Sequence, residues 1–124
     1  MLNEKIYQMI FDELHIFLTP EWEKLIIYLE YGEGSYAYSF YEKRKTGFVN
    51  GYDLPGVSEK AIDSSFKSID RFILNERNKE KSELWTNMTM IVTKTGKMHV
   101  DFDYTDLSEG SYKYKLKWKK KYLK

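Results

Sequence analysis

At 124 residues, with no cysteine and with 17% aromatic side chains, the chain is long enough for one packed domain over residues 1–124, and disulfides, thiolate chemistry and the composition of a disordered segment are excluded. No apolar run approaches the roughly 18 residues of a membrane span, and the N-terminus, with Glu4 early, lacks the charged-then-apolar pattern of a general secretory signal. The net charge of +1 hides a split: residues 113–124 carry seven lysines and no acid, whereas the other 112 residues carry 13 basic and 19 acidic side chains, a balance of −6, and such asymmetry bears on partners rather than on fold.

In chain order, Ile6, Met9, Ile10, Leu14 and Phe17 recur at helical spacing and predict a helix over 3–18, with Leu2 and Leu18 extending the stripe, Asn3 as its cap and Pro20 as its stop. Residues 22–31 predict a strand with Leu25, Ile27 and Leu29 on one face and Trp22, Ile26 and Tyr28 on the other. After a turn at Gly32-Glu33-Gly34-Ser35, residues 36–41 return as a second strand, with Tyr36, Tyr38 and Phe40 opposite Ala37, Ser39 and Tyr41. Residues 42–47 read as a charged turn, Phe48 and Val49 as a short third strand, and 50–56 as a loop without the lysine that a phosphate cradle needs. Ser58 precedes a second helix over 59–78, in which Ile62, Phe66, Ile69, Ile73 and Phe72 face inward and Asp63, Lys67, Asp70 and Arg71 outward; the alternating charges of 76–83 then read as a linker.

Residues 85–104 predict a hairpin closed at Lys94-Thr95-Gly96-Lys97, where Gly96 supplies a positive φ. Met98, Val100, Phe102 and Tyr104 alternate with His99, Asp101 and Asp103, so one face of the sheet is apolar and must be covered while the other is acidic and free for use. In the tail, Tyr112, Tyr114, Leu116 and Trp118 alternate with lysines, which favours a strand, whereas the four-residue spacings Tyr112–Leu116 and Trp118–Tyr122 admit a helix. The expected class is α+β: an antiparallel sheet of four to five strands from two hairpins, with helices packed on one face.

For chemistry the residues offer little. Asp101 and Asp103 share a face beside His99 and could hold a hard cation, but an Asp-x-Asp pair is common on ordinary strands. There is no nucleophile–base pair and no glycine-rich cofactor fingerprint, so neither catalysis nor a cofactor is expected. Lysines interleaved with Tyr114, Trp118 and Tyr122 could grip phosphates and stack bases, which makes nucleic-acid binding by the tail the alternative reading, although the acidic body would repel the same polyanion.

The sequence resembles the EsaG/YezG-type immunity proteins of Gram-positive bacteria over nearly its whole length. The resemblance rests on Pro20-Glu21-Trp22-Glu23-Lys24 after the first helix, Leu54-Pro55 before the second, Trp85-Thr86-Asn87 opening the hairpin, Asp101-Phe102-Asp103-Tyr104 closing it, and Trp118-Lys119 with Tyr122-Leu123 at the end. It implies a cytoplasmic antitoxin that blocks a nuclease toxin exported by type VII secretion, without a membrane partner, and it implies a helical C-terminal segment. The short, lysine-rich tail and Gly110 near its start depart from the family pattern. A nuclease presents a basic substrate face, and an inhibitor can meet it with an acidic, aromatic-bearing surface. The surface expected here is Asp101, Asp103 and Asp106, with Tyr104 and Trp85 at its edge.

Overall fold

A computed structural model of the protein describes residues 4–32, 35–77, 79 and 84–124. The elements are α1 (Glu4–His15), β1 (Lys24–Gly32), β2 (Ser35–Arg44), β3 (Gly47–Asn50), a 3-10 turn (Gly51–Asp53), α2 (Glu59–Arg77), β4 (Asn87–Thr93), β5 (Met98–Asp103) and α3 (Tyr112–Tyr122). The strands form one five-stranded antiparallel sheet in the order β3-β2-β1-β4-β5, so the class is α+β. Among the described residues, no helix is long and apolar enough to cross a membrane.

Strand β1 is central because its sequence suits no other place. Every residue from Leu25 to Tyr31 is buried, and a strand apolar on both faces must be covered on both. On the first face Leu25, Ile27 and Leu29 meet Ile6, Ile10 and Leu14 of α1 and Ile62, Phe66, Ile69 and Ile73 of α2. The Ser58 hydroxyl caps α2 by accepting the Ala61 N–H at 3.0 Å. On the second face Ile26, Tyr28 and Tyr41 close around Trp118 of α3.

The third helix therefore lies on the face opposite α1 and α2, and the acidic side of the hairpin is not left free. The strand-like alternation of the tail is overruled for a simple reason. Tyr114, Trp118 and Tyr122 stand four apart, and a helix delivers all three to the sheet at once. Lysines occupy most other positions, so the pattern alternates at either period.

Other departures are local. Strand β2 runs through Glu42 to Arg44, where a charged turn was expected, because the Glu42 carboxylate has partners inside the protein. Helix α1 stops at His15, whose ring stacks on Phe11 at 4.9 Å. Trp22 precedes β1 and packs toward Phe11 in the first core instead of sharing the face of Ile26. Phe72 is 51% exposed and does not widen the stripe of α2. Asp63 and Asp70 do not simply face water: Tyr38 and Tyr52 donate to Asp63 at 2.9 and 2.7 Å, and Tyr31 and Tyr36 donate to Asp70. These bonds fasten α2 across the tyrosines of the first hairpin and the turn after β3. Leu2, the Asn3 cap, the turn residues Glu33 and Gly34, and linker residues 78 and 80–83 lie outside the described residues.

Gly51 is needed for space rather than for its backbone angle. A Cβ added there would lie 2.3 Å from the Phe40 ring, and Phe40 is fully buried. Gly51→Ala is expected to cost about 1–3 kcal/mol through overpacking, read as a lower denaturation midpoint with an unchanged slope. A neutral result would mean that Phe40 has room to turn.

Candidate partner-binding surface

The hairpin that carries the surface closes as its residues dictate. Gly96 has φ 94°, and the Thr93 N–H donates to the Lys97 carbonyl at 2.8 Å. Along β5, Val100 and Phe102 turn to the first core, while Asp101 and Asp103 turn to the α3 side. There a groove of about 250 Å³ runs between the sheet and α3. Asn87, Thr89, Asp101 and Asp103 line it from the sheet, and Tyr114, Lys117, Lys121 and Tyr122 from the helix.

The helix is tied to this polar face by one hydrogen bond per turn. The Tyr114 hydroxyl donates to Asn87 Oδ1 at 2.9 Å, Trp118 Nε1–H to Thr89 Oγ1 at 2.7 Å, and the Tyr122 hydroxyl to Asp101 Oδ2 at 2.7 Å. Lys115 Nζ donates to Ser39 Oγ at 3.0 Å and sits over the rings of Tyr28 and Trp118, at 3.5 and 4.2 Å from their centroids. Burial pulls its ammonium down to about 7, the charge of Lys119 adds to this, and Glu30 opposes it. Burial raises the Tyr122 phenol, and its bond to Asp101 raises it further, so the donor stays protonated.

The five residues expected to share one surface fall into two groups. Asp101 is engaged by Tyr122 and by His99 Nε2 at 2.9 Å. Asp103 beside it accepts the Thr105 N–H at 2.7 Å. Desolvation works against its charge, but the bonds from Thr105, with the charge of Lys121 adding to them, prevail and hold the carboxyl below the usual range. Tyr104, Asp106 and Trp85 belong to a second hollow, of about 370 Å³, with Tyr31, Arg77 and Leu84. Tyr104 is 47% exposed there. The Asp106 carboxyl, bonded to the Ser108 N–H at 2.9 Å, is also held below its ordinary range.

Trp85 is different in kind. It is 5% exposed, lies 5.3 Å from the Phe102 ring, and has the Arg77 guanidinium 4.5 Å above its face. Arg77 also donates to the carbonyls of Trp85 and Tyr31, at 2.9 Å for the latter. Trp85 thus supports the hollow from the core side of the sheet instead of extending the acidic face.

Sequence reasoning missed Lys117 and Lys121, which stand beside Asp101 and Asp103. The signal was present: a helical reading of the tail puts them next to Trp118 and Tyr122. The same helix turns Tyr114, Trp118 and Tyr122 toward the sheet and leaves Lys113, Lys117, Lys119, Lys120 and Lys121 exposed. The aromatic faces that base stacking would need are therefore covered.

This architecture defines an α+β protein whose single sheet is enclosed by helices on both faces, with carboxylates and an exposed tyrosine where β5 ends. Residues 3–124 match the family described as "Immunity protein YezG-like", and the chain belongs to that family of immunity proteins. Among its relatives, the protein named Immunity protein YezG of Bacillus spizizenii is 27% identical over 110 residues, covering 82% of this chain and 68% of the relative. Immunity protein YezG of Bacillus subtilis is 22% identical over 112 residues, covering 84% and 74%.

Proposed function

We propose that the protein is a cytoplasmic antitoxin that binds a nuclease toxin exported by type VII secretion and covers the toxin's substrate face, with residues 1–124 acting as one binding unit and without chemistry of its own. The observation that carries this reading, beside family membership, is the segment where β5 ends. Residues 101–109 hold Asp101, Asp103, Asp106 and Glu109 and no basic residue. Hydrogen bonds keep Asp103 and Asp106 ionised, and Tyr104 stands exposed between them. A surface that binds a polyanion is basic. Fixed carboxylates complement it and speed encounter, and an aromatic side chain gives the contact an anchor.

The test is direct. One equivalent of the purified protein should abolish DNA cleavage by the nuclease domain of its cognate toxin. Replacing Asp101, Asp103 and Asp106 together with asparagine should slow association about tenfold and flatten its salt dependence. Cleavage unaffected by the wild-type protein would refute the nuclease reading. Inhibition with an unchanged association rate in the triple variant would move the contact elsewhere on the molecule.

A further inference from the structure

Strand β5 is one edge of the sheet, and no strand of the described chain lies beyond it. Its pairing with β4 fixes where its backbone points. The Thr93 N–H bonds to the Lys97 carbonyl, and the register continues unbroken from Met98 opposite Val92 to Asp103 opposite Asn87. Hydrogen-bonded and non-bonded pairs alternate along an antiparallel ladder. Lys97, His99, Asp101 and Asp103 therefore turn their backbone groups to β4, and Met98, Val100 and Phe102 turn theirs to the open edge. The opposite edge, β3, is four residues long, and shortness is a usual protection for an edge. Strand β5 has six residues, with no proline, lysine or bulge inside it. Met98 is 39% exposed, and Val100 and Phe102 are partly so.

Residues 97–103, KMHVDFD, are complementary to themselves when run antiparallel. We propose that this edge pairs with the same edge of a second copy of the chain about a twofold axis at Val100. In that register Val100 meets Val100, Met98 meets Phe102, His99 meets Asp101 and Lys97 meets Asp103. Each outward-pointing backbone faces another, so Met98, Val100 and Phe102 form the hydrogen-bonded pairs. The apolar pairs fall on the side of α1 and α2, and the opposite charges fall on the side of α3, where directly opposed charges attract. A slip of two residues sets Asp101 against Asp101 in one direction and His99 against His99 in the other, so the charges specify the register. Closed twofold pairing of this kind ends with the dimer and leaves no further edge to grow from β5. Asp101 and Asp103 fall inside the seam, so the dimer leaves Tyr104 and Asp106 as the part of the acidic segment open to a toxin, and no toxin is needed to test the pairing.

Sedimentation velocity on the full chain alone, over a concentration series, should reveal a species of twice the 14.9 kDa monomer mass that grows with concentration. Val100→Pro removes the central outward N–H at a place where an edge strand tolerates proline, so it should abolish the dimer while the far-ultraviolet spectrum stays that of the folded monomer, with a lower melting point for the packing Val100 gives up. Lys97→Asp, at an exposed position, sets like charges opposite each other at both ends of the seam and should raise the dissociation constant about tenfold. Mixing it with Asp103→Lys chains should restore pairing between the two variants. A wild-type chain that stays monomeric at every concentration overturns the proposal. So does a dimer that neither Val100→Pro nor Lys97→Asp weakens, and Lys97→Asp decides the matter by itself should the proline variant fail to fold.

Discussion

Trp118→Ala is expected to release α3 from the sheet at a cost of about 3–5 kcal/mol, the range for emptying a buried tryptophan site. Trp118 is 3% exposed and is the one residue of α3 that is buried outright. It lies 5.1 Å from the Tyr28 ring, 5.7 Å from Tyr41 and 5.3 Å from Tyr122, and its indole N–H bonds to Thr89. The rest of the helix holds on through side-chain bonds that compete with water, and each of these adds only about 1 kcal/mol net. Without the indole, an eleven-residue helix is too short to persist unsupported. Loss of helical ellipticity together with a lower denaturation midpoint would mark this outcome. Trp118→Phe separates the two contributions: it keeps most of the packing, gives up the bond to Thr89, and should cost about 1 kcal/mol. Equal losses for the two variants would mean that the hydrogen bond, not the ring, holds the helix.

The second large effect is expected at Glu42. Its side chain is fully enclosed, and it receives the Thr19 N–H at 2.6 Å, the Thr19 hydroxyl at 2.7 Å and the Arg44 guanidinium. One carboxylate thus pins the connection between α1 and β1 onto β2. Glu42→Ala leaves a backbone N–H and a hydroxyl without their acceptor and should destabilise the protein by about 3 kcal/mol. Arg44 softens the loss, since its side chain is 22% exposed and also reaches Glu21 at 3.9 Å. Arg44→Met should accordingly cost less than Glu42→Ala. The reverse order in matched urea titrations would show that the ion pair, not the bonds from Thr19, carries the energy.

Much of the fold was legible from periodicity alone. The alternation of Leu25, Ile27 and Leu29 with Ile26 and Tyr28 marked β1 as a strand, and the stripe Ile62–Phe66–Ile69–Ile73 oriented α2, but the central place of β1 and the helix on the second face were not read from it. Glu42 was not legible, because a buried carboxylate and a turn carboxylate look alike until the Thr19 N–H is found beside one of them. The tail was ambiguous because lysine is neutral between a strand and a helix; what decided it was whether three aromatics could reach one sheet face together. Of the surface, the sequence revealed that Asp101 and Asp103 share a face and that Tyr104 and Asp106 follow. It could not reveal that Tyr122 would reach across to Asp101, or that Trp85 would lie under Arg77, because neither contact follows the period of a single helix or strand.

The placement of α3 mixes the charges over β5 and leaves the segment after it purely acidic. Lys117 and Lys121 stand beside Asp101 and Asp103 in the groove, whereas residues 104–111 hold Asp106 and Glu109 and no basic residue, and Lys119, Lys120 and Lys121 in the last turn of the helix meet the negative end of its dipole. A cationic body approaching from solution meets lysines alongside Asp101 and Asp103 and is drawn most freely to the segment that follows β5. The orienting field reaches only about 10 Å in 0.1 M salt. Encounters with a basic partner are therefore sorted by orientation in dilute buffer and become indiscriminate as salt is added.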